Sequence, residues 1–288
     1  MDHPNILPWL GCVIDPEFVT LVLEFAEQGD LFGYSKEHCS TIKDRVLLFH
    51  KVYPSILSAV SYLESLQIAH RDIKPENILI KTLPGEGIQP QLCDFGWSVF
   101  YLKAGARQTT LCGTPEYVPP EMLAEDSATK RRYSAEYVDS WAMGVLALEI
   151  LQGETPFGAP SSCEKSDERR SAIYAKIMNF GAMDASLCDS LNQFVATTSS
   201  AGSGSIVFGC GPVTRRGTKR GRDCTHVAMV KDFLQPTPTH RLSATDCLKR
   251  YSPSLFGPRS SPLPPQPSVK QRLQIFQNSQ TGVKCLFM

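Results

Sequence analysis

The residues His70-Arg71-Asp72-Ile73-Lys74-Pro75-Glu76-Asn77 place a carboxylate, an amine and an amide within one short loop, and Asp94-Phe95-Gly96 follows seventeen positions after Asn77. Moving a phosphoryl group from a nucleoside triphosphate asks little covalent chemistry of a protein. Its loose transition state needs a carboxylate to orient the attacking hydroxyl, a cation near the transferred group and oxygen ligands for magnesium. Asp72 suits the first task, Lys74 the second, and Asn77 with Asp94 the third. Either motif alone arises by chance; both together, in this order and spacing, point to that chemistry.

Elements on either side must hold these loops. Phe18 to Phe25 is rich in β-branched and aromatic residues and reads as a buried strand, with a partner strand within Asn5 to Val13. Gly29-Asp30-Leu31 opens a helical stretch. Val46, Phe49, Tyr53, Ile56, Val60 and Leu63 then recur at three and four residues, the apolar stripe of a packed helix. Pro54 interrupts the stripe, so the helix is expected either to kink there or to restart with Pro54 near its first turn. Ile78 to Ile80 and Gln91 to Cys93 read as short strands around the turn Leu83-Pro84-Gly85-Glu86-Gly87, which would bring the two loops side by side. Val138 to Leu151 is apolar on nearly all sides and is expected to be a central helix.

Lysine plus arginine equals aspartate plus glutamate, 29 of each, so net charge points to neither a nucleic-acid nor an acidic partner. No uninterrupted apolar run reaches the ~20 residues a membrane helix needs, and Met1-Asp2-His3-Pro4 resembles neither a signal nor a transit peptide. The ten cysteines contain no CxxC pair and read as reduced thiols of a cytosolic or nuclear protein. Thr197 to Ser205 is of low complexity, Arg215 to Arg222 is strongly basic, and residues 252–288 are rich in Ser and Pro. These stretches offer few apolar groups to offset ordering entropy, so disorder is expected. The basic run reads as a solvated insert loop or a nuclear-import or nucleic-acid patch. Pro262 to Pro267 reads as disordered tail or as a ligand for an SH3-like domain.

From Asp2 to Tyr251, outside an insert at about 181–225, the sequence resembles the protein kinases. Lys74 within the catalytic loop and Gly113-Thr114 resemble the serine/threonine branch. Pro119-Pro120-Glu121 stands at the APE motif, Asp139-Ser140-Trp141-Ala142-Met143-Gly144 resembles the start of the central helix, and Gly153 to Phe157 the turn after it. Pro238-Thr239-His240-Arg241 resembles the late segment whose arginine pairs with the APE glutamate, which implies a Glu121–Arg241 ion pair. Asp94 to Val99 with its Trp97, Thr109 to Thr114, Pro119-Pro120, His3 to Leu7 and Leu23 to Ala26 resemble the Aurora kinases in particular; Pro115-Glu116-Tyr117 departs from them and is similar to other basophilic kinases.

The resemblance implies an α+β, protein-kinase-like fold with a mainly helical C-lobe and about two strands of the N-lobe sheet. Residues 1–26 would be N-lobe remnant and hinge, 27–251 the C-lobe with its disordered insert, and 252–288 a disordered tail. It implies transfer of the ATP γ-phosphate to Ser/Thr of proteins, with Mg2+. Asp72 and Lys74 would be catalytic, with Asn77 and Asp94 on the metal. Leu23 as gatekeeper, Glu24, Phe25, Ala26, Glu76, Asn77, Leu79 and Asp94 would bind ATP. Thr110 is the implied activating phosphosite, met by Arg71 and Arg107. Glu76, Glu149 and Thr114 would meet substrate, the glutamates reading an arginine or lysine two residues before the target, and Glu121, Asp139 and Arg241 would be structural. Aurora kinases act in mitosis, in cytoplasm and nucleus and on spindle, centrosome or chromosomes, with activator proteins docking on the N-lobe.

Only Met1 and Asp2 stand before His3, and a glycine-rich loop, a strand lysine and its helix glutamate find no place in the sequence. The expectation is an Aurora-like kinase truncated at its N-lobe whose complete form is active, while the chain as written binds ATP weakly and transfers phosphate slowly or not at all. The alternatives are a binding module without catalysis and a degenerate product.

Overall fold

The computed structural model describes residues 1–85, 87–101, 107–124, 132–163, 165–181 and 225–251. The low-complexity run, the basic run and the Ser/Pro-rich tail lie outside them.

Trp9–Ile14 (β1) and Val19–Leu23 (β2) pair antiparallel as a two-stranded sheet. Asp30 then caps α1 (Leu31–His38), its carboxylate accepting the Gly33 N–H at 2.7 Å. Thr41 and Asp44 form a reciprocal capping box that starts α2 (Ile42–Ser65). Pro54 lies inside α2, so the alternative of a restart at the proline is corrected. An interior proline costs about 3 kcal/mol, and full burial of Phe49, Tyr53, Ile56 and Leu57 on both sides of it offsets that. By length and composition α2 is also apolar enough to cross a membrane, but 61% of that window is buried within the protein, as in a core helix.

The short strand Ile68–Ala69 (β3) leads into the 70–77 loop, which ends in β4 (Ile78–Leu83). Gly87–Leu92 (β5) returns antiparallel along β4, and Val99–Phe100 (β6) returns along β3. The strands at 78 and 91 thus run longer than their apolar cores suggest, and Cys93 falls outside β5, because the tight turn at 84–85 zips the ladder from Leu83↔Gly87 inward. After α3 (Pro120–Leu123), the central helix α4 (Val138–Gln152) is enclosed by α2, α6 (Thr225–Phe233) and the chain after it. The Tyr53 hydroxyl donates to the Met143 carbonyl at 3.0 Å. A Cβ at Gly144 would sit 2.7 Å from the Leu234 side chain, so glycine sets that close approach. α5 (Ser166–Met178) and α7 (Ala244–Tyr251) complete the helical lobe.

The strand read at Phe18 to Phe25 forms over Val19–Leu23, but the expectation that it is buried is overturned. Trp9, Ile14, Phe18 and Phe25 are 63%, 68%, 66% and 78% exposed. Among the described residues no second layer covers this pair of strands, so both faces meet solvent. Only its root is tied down: Leu7 N–H bonds Leu92 O and Leu92 N–H bonds Asn5 O, both at 2.9 Å.

Candidate active site

Two ladders bracket the site. The 70–77 loop leaves β3 and enters β4, while the 93–98 loop leaves β5 and enters β6. Because β3 pairs with β6 and β4 with β5, the two loops are held together at both ends. The Cys93 N–H donates to the Asn77 carbonyl at 2.9 Å, and His70 Nε2 lies 2.9 Å from the Cys93 carbonyl. The Phe95 ring meets the His70 ring edge-on at 4.7 Å.

Asp72 is buried at the centre. Its Oδ1 accepts the Thr114 N–H at 3.0 Å and the Thr114 hydroxyl at 2.9 Å. Its Oδ2 accepts Asn77 Nδ2 at 2.9 Å and lies 3.2 Å from Lys74 Nζ. Lys74 Nζ donates to Thr114 Oγ1 at 2.7 Å. Asn77 Nδ2 also donates to the Asp72 carbonyl at 2.8 Å, leaving its amide oxygen out of both bonds. Thr114 reaches Asp72 because Gly113 adopts φ +87; a Cβ there would stand 2.5 Å from the Arg71 carbonyl. Asp94 is exposed, in a left-handed conformation at φ 58, and accepts the Gly96 N–H at 3.2 Å.

Asp139, at the start of α4, anchors the loop from beneath. Its two oxygens accept the backbone N–H groups of His70 at 2.6 Å and Arg71 at 2.8 Å. Burial raises its carboxyl above the usual range, and nearby His70 together with the His70 and Arg71 N–H bonds opposes the rise. Arg71 takes a left-handed φ of 69, a strained value for a side chain of that size. From there its Nε donates to the Trp97 carbonyl at 2.6 Å and its Nη1 to the Tyr133 hydroxyl at 3.0 Å. The same hydroxyl donates to the Thr110 carbonyl at 2.8 Å, so one phenol joins Arg71 to the exposed Thr110. Arg107 is exposed beside Gln108, whose backbone pairs with that of Tyr133.

The hinge is fastened to β4. Glu24 pairs with Lys81, whose hydrogen bond holds the Glu24 carboxyl below its ordinary range. The Glu24 N–H donates to the Pro8 carbonyl at 3.0 Å. Gln28 N–H and Ile80 N–H exchange bonds with Ile80 O and Gly29 O, placing half-buried Leu79 beside Asp30. Ala26 is buried, whereas Leu23 and Phe25 are exposed. Across the lobe, Glu149 accepts a hydrogen bond from Tyr117 and lies in the field of Glu76 and Glu116. Burial raises the Glu149 carboxyl, the Tyr117 bond opposes that, and Glu76 and Glu116 add to it.

Glu121 and Arg241 meet as the sequence implies, Nη1–Oε1 at 2.6 Å and Nη2–Oε2 at 2.7 Å. Sequence reasoning did not find Tyr133, Glu116 or Tyr117 as partners of the site. Glu116 and Tyr117 sit inside a motif already singled out, but Tyr133 carries no local pattern and is recruited only by the fold.

Two loops clamped side by side under a helical lobe, with a carboxylate, an amine and an amide converging, define a protein kinase catalytic core. The protein kinase domain family matches residues 1–251, and the chain belongs to the protein kinase family. Within it the chain is similar to the Aurora kinases. It is 36% identical over 186 residues to an Aurora kinase of Schizosaccharomyces pombe, covering 64% of this chain and 47% of that protein. It is 40% identical over 156 residues to Aurora kinase A-A of Xenopus laevis, covering 54% and 34%. It is 35% identical over 166 residues to Aurora kinase B of Mus musculus, covering 57% and 43%. The chain therefore spans about a third to a half of the length of these relatives. The α+β kinase fold has a helical C-lobe and a reduced N-lobe sheet, and the family generally uses ATP and Mg2+.

Proposed function

We propose that this chain carries the phosphotransfer lobe of a basophilic, Aurora-like kinase acting on Ser/Thr of proteins during cell division, in cytoplasm and nucleus and on spindle, centrosome or chromosomes. The observation that carries the reading is the Asp72 carboxylate held by Thr114, Asn77 and Lys74 together. Asp72 orients the substrate hydroxyl and takes its proton; the Thr114 hydroxyl on Oδ1 makes the kind of bond that an incoming serine would make. Lys74 keeps a positive charge beside the transferred group. Asn77 and exposed Asp94 offer oxygen donors alone, as a hard cation prefers. No cluster of three or more His, Cys, Asp or Glu forms a closed metal cage among the described residues. Mg2+ held by Asn77, Asp94 and phosphate oxygens would, when bound, neutralise charge on the transferring phosphates. Ala26, the Glu24 to Phe25 backbone and Leu79 would take adenine, with Leu23 as gatekeeper and Glu76 bordering the site. The test is transfer of the ATP γ-phosphate to a Ser peptide with arginine two residues upstream, with Asp72→Asn as control; equal activity of the two chains would reject it.

Glu76 and Glu149 would receive that arginine through charge-assisted bonds. Glu149→Gln should reduce the preference for arginine over alanine at that position by about tenfold or more. Because its carboxyl is raised, Glu149 gains a proton at higher pH than an exposed glutamate does, so the preference should weaken first as pH falls. The kcat/KM ratio of the two peptides, followed from about pH 8 to about pH 5.5, measures this. A ratio flat in pH and unchanged in Glu149→Gln would exclude the role.

Thr110 is proposed as the activating phosphosite. A phosphate there adds roughly −1.5 to −2 charges within reach of Arg71, which already meets the Thr110 carbonyl through Tyr133. Arg107 is a second partner. In a complete kinase chain Thr110→Ala should lower transfer severalfold, and undiminished turnover would remove the role.

A further inference from the structure

The stretch that carries Thr110 and the stretch that leads into α4 meet at one short antiparallel bridge. Gln108 N–H donates to the Tyr133 carbonyl at 2.9 Å, and Tyr133 N–H donates to the Gln108 carbonyl at 3.1 Å. The residues flanking a doubly bonded pair face each other without bonds between them, so Arg107 stands opposite Ser134 and Thr109 opposite Arg132. Side chains alternate along each stretch. Tyr133 turns inward to Arg71 and the Thr110 carbonyl, while Arg107, Thr109 and Arg132 are exposed and Ser134 is half-buried. Opposite residues bring their Cβ atoms about 4.5–5.5 Å apart and diagonal ones about 7–8 Å, so both guanidiniums come within reach of one anion at Ser134. Like charges at that separation repel unless an anion lies between them. Ser134 itself has extended backbone, φ −85 and ψ 125, and its hydroxyl makes no capping bond to the turn that follows. In the sequence Arg132 precedes it by two positions, the spacing of an arginine that a basophilic kinase reads.

We propose that Ser134 is a phosphorylation site whose phosphate is held by Arg107 and Arg132, latching the Thr110 stretch to the entry of α4. A basophilic kinase supplies the group. Ser134 Oγ bonds to the γ-phosphorus of ATP, the bond from that phosphorus to the β–γ bridging oxygen breaks to release ADP, and the hydroxyl proton passes to the kinase's catalytic carboxylate. Tyr133 leaves its pocket while the stretch lies in the kinase cleft, so transfer takes place during local opening. The phosphate, with roughly −1.5 to −2 charges, then draws the two stretches together. The full chain incubated with Mg·ATP and a kinase that selects arginine two residues upstream should carry phosphate on Ser134 by tandem mass spectrometry. Phosphate on Thr109 or Thr110 but not on Ser134 overturns the site, as does an unmodified chain beside a phosphorylated Arg-x-Ser peptide. Phosphorus NMR of the full chain carrying phosphate on Ser134 tests the latch. The second ionisation should centre about one pH unit or more below the ordinary value of about 6, and Arg107→Gln should return it at least halfway. Glu136, exposed two positions on, opposes that fall but is common to the chains compared. Arg132→Gln is the second variant; both arginines are exposed, so glutamine should leave the fold intact. A midpoint near the ordinary value, or a lowered one that neither variant moves, overturns the latch.

Discussion

Asp72→Asn should lower phosphate transfer by about 10²–10⁴-fold, the range for loss of a positioned general base. The substitution is nearly isosteric, but it replaces an acceptor with an amide whose N–H groups face donors. Oδ2 receives Asn77 Nδ2 at 2.9 Å and neighbours Lys74 Nζ at 3.2 Å, so an amide turned to spare the Thr114 N–H bond confronts both. The loss should fall on kcat rather than on peptide KM, because the carboxylate acts on the hydroxyl mainly as it attacks. Single-turnover transfer from Mg·ATP to a Ser peptide measures it. An unsubstituted chain that binds peptide but transfers nothing would favour the binding-module reading. Measurable transfer that Asp72→Asn leaves intact would show that Asp72 is not the base.

Arg241→Ala should destabilise the lobe by about 3–5 kcal/mol, the cost of removing one partner from a buried pair. The Arg241 side chain is 0% exposed and Glu121 13%. All five guanidinium N–H groups have acceptors: both Glu121 oxygens, Tyr137 O at 3.1 Å, Pro236 O at 3.2 Å and Gln235 O at 2.8 Å. The guanidinium also lies 5.0 Å over the Trp141 ring. Truncation would strand the Glu121 charge and three carbonyls and uncover α4 at Trp141. Lysine should not rescue, because a single ammonium cannot fork to a carboxylate and still reach all three carbonyls. Urea unfolding midpoints for the two variants test this; a loss under about 1 kcal/mol, the value of a surface pair, would mean the arrangement is dispensable.

The phosphotransfer motifs were legible because that chemistry confines its groups to short contiguous loops. Asp72, Lys74 and Asn77 lie within six positions, and the seventeen-residue span to Asp94 is what a tight strand pair requires. Helix α4 was equally legible: an element apolar on every side has nowhere to go but the centre. Strand ends were less so, since the β4–β5 ladder is set by the turn that zips it rather than by its apolar residues. The exposed hairpin was misread for a related reason. The β-branched and aromatic residues of Phe18 to Phe25 signal a strand, but burial belongs to whatever covers it, and that is not a property of the segment.

What the sequence by itself determined is the family, the candidate groups of the site and the helical lobe. The tertiary structure alone decided which distant side chains share a charge or a hydrogen bond. Tyr133 joins Arg71 to Thr110, Glu116 joins Glu76 around Glu149, and His226 faces His50 across 176 residues. Such pairings depend on helix packing and burial, which strengthen a contact between remote positions by excluding water from it. Sequence spacing carries no trace of them.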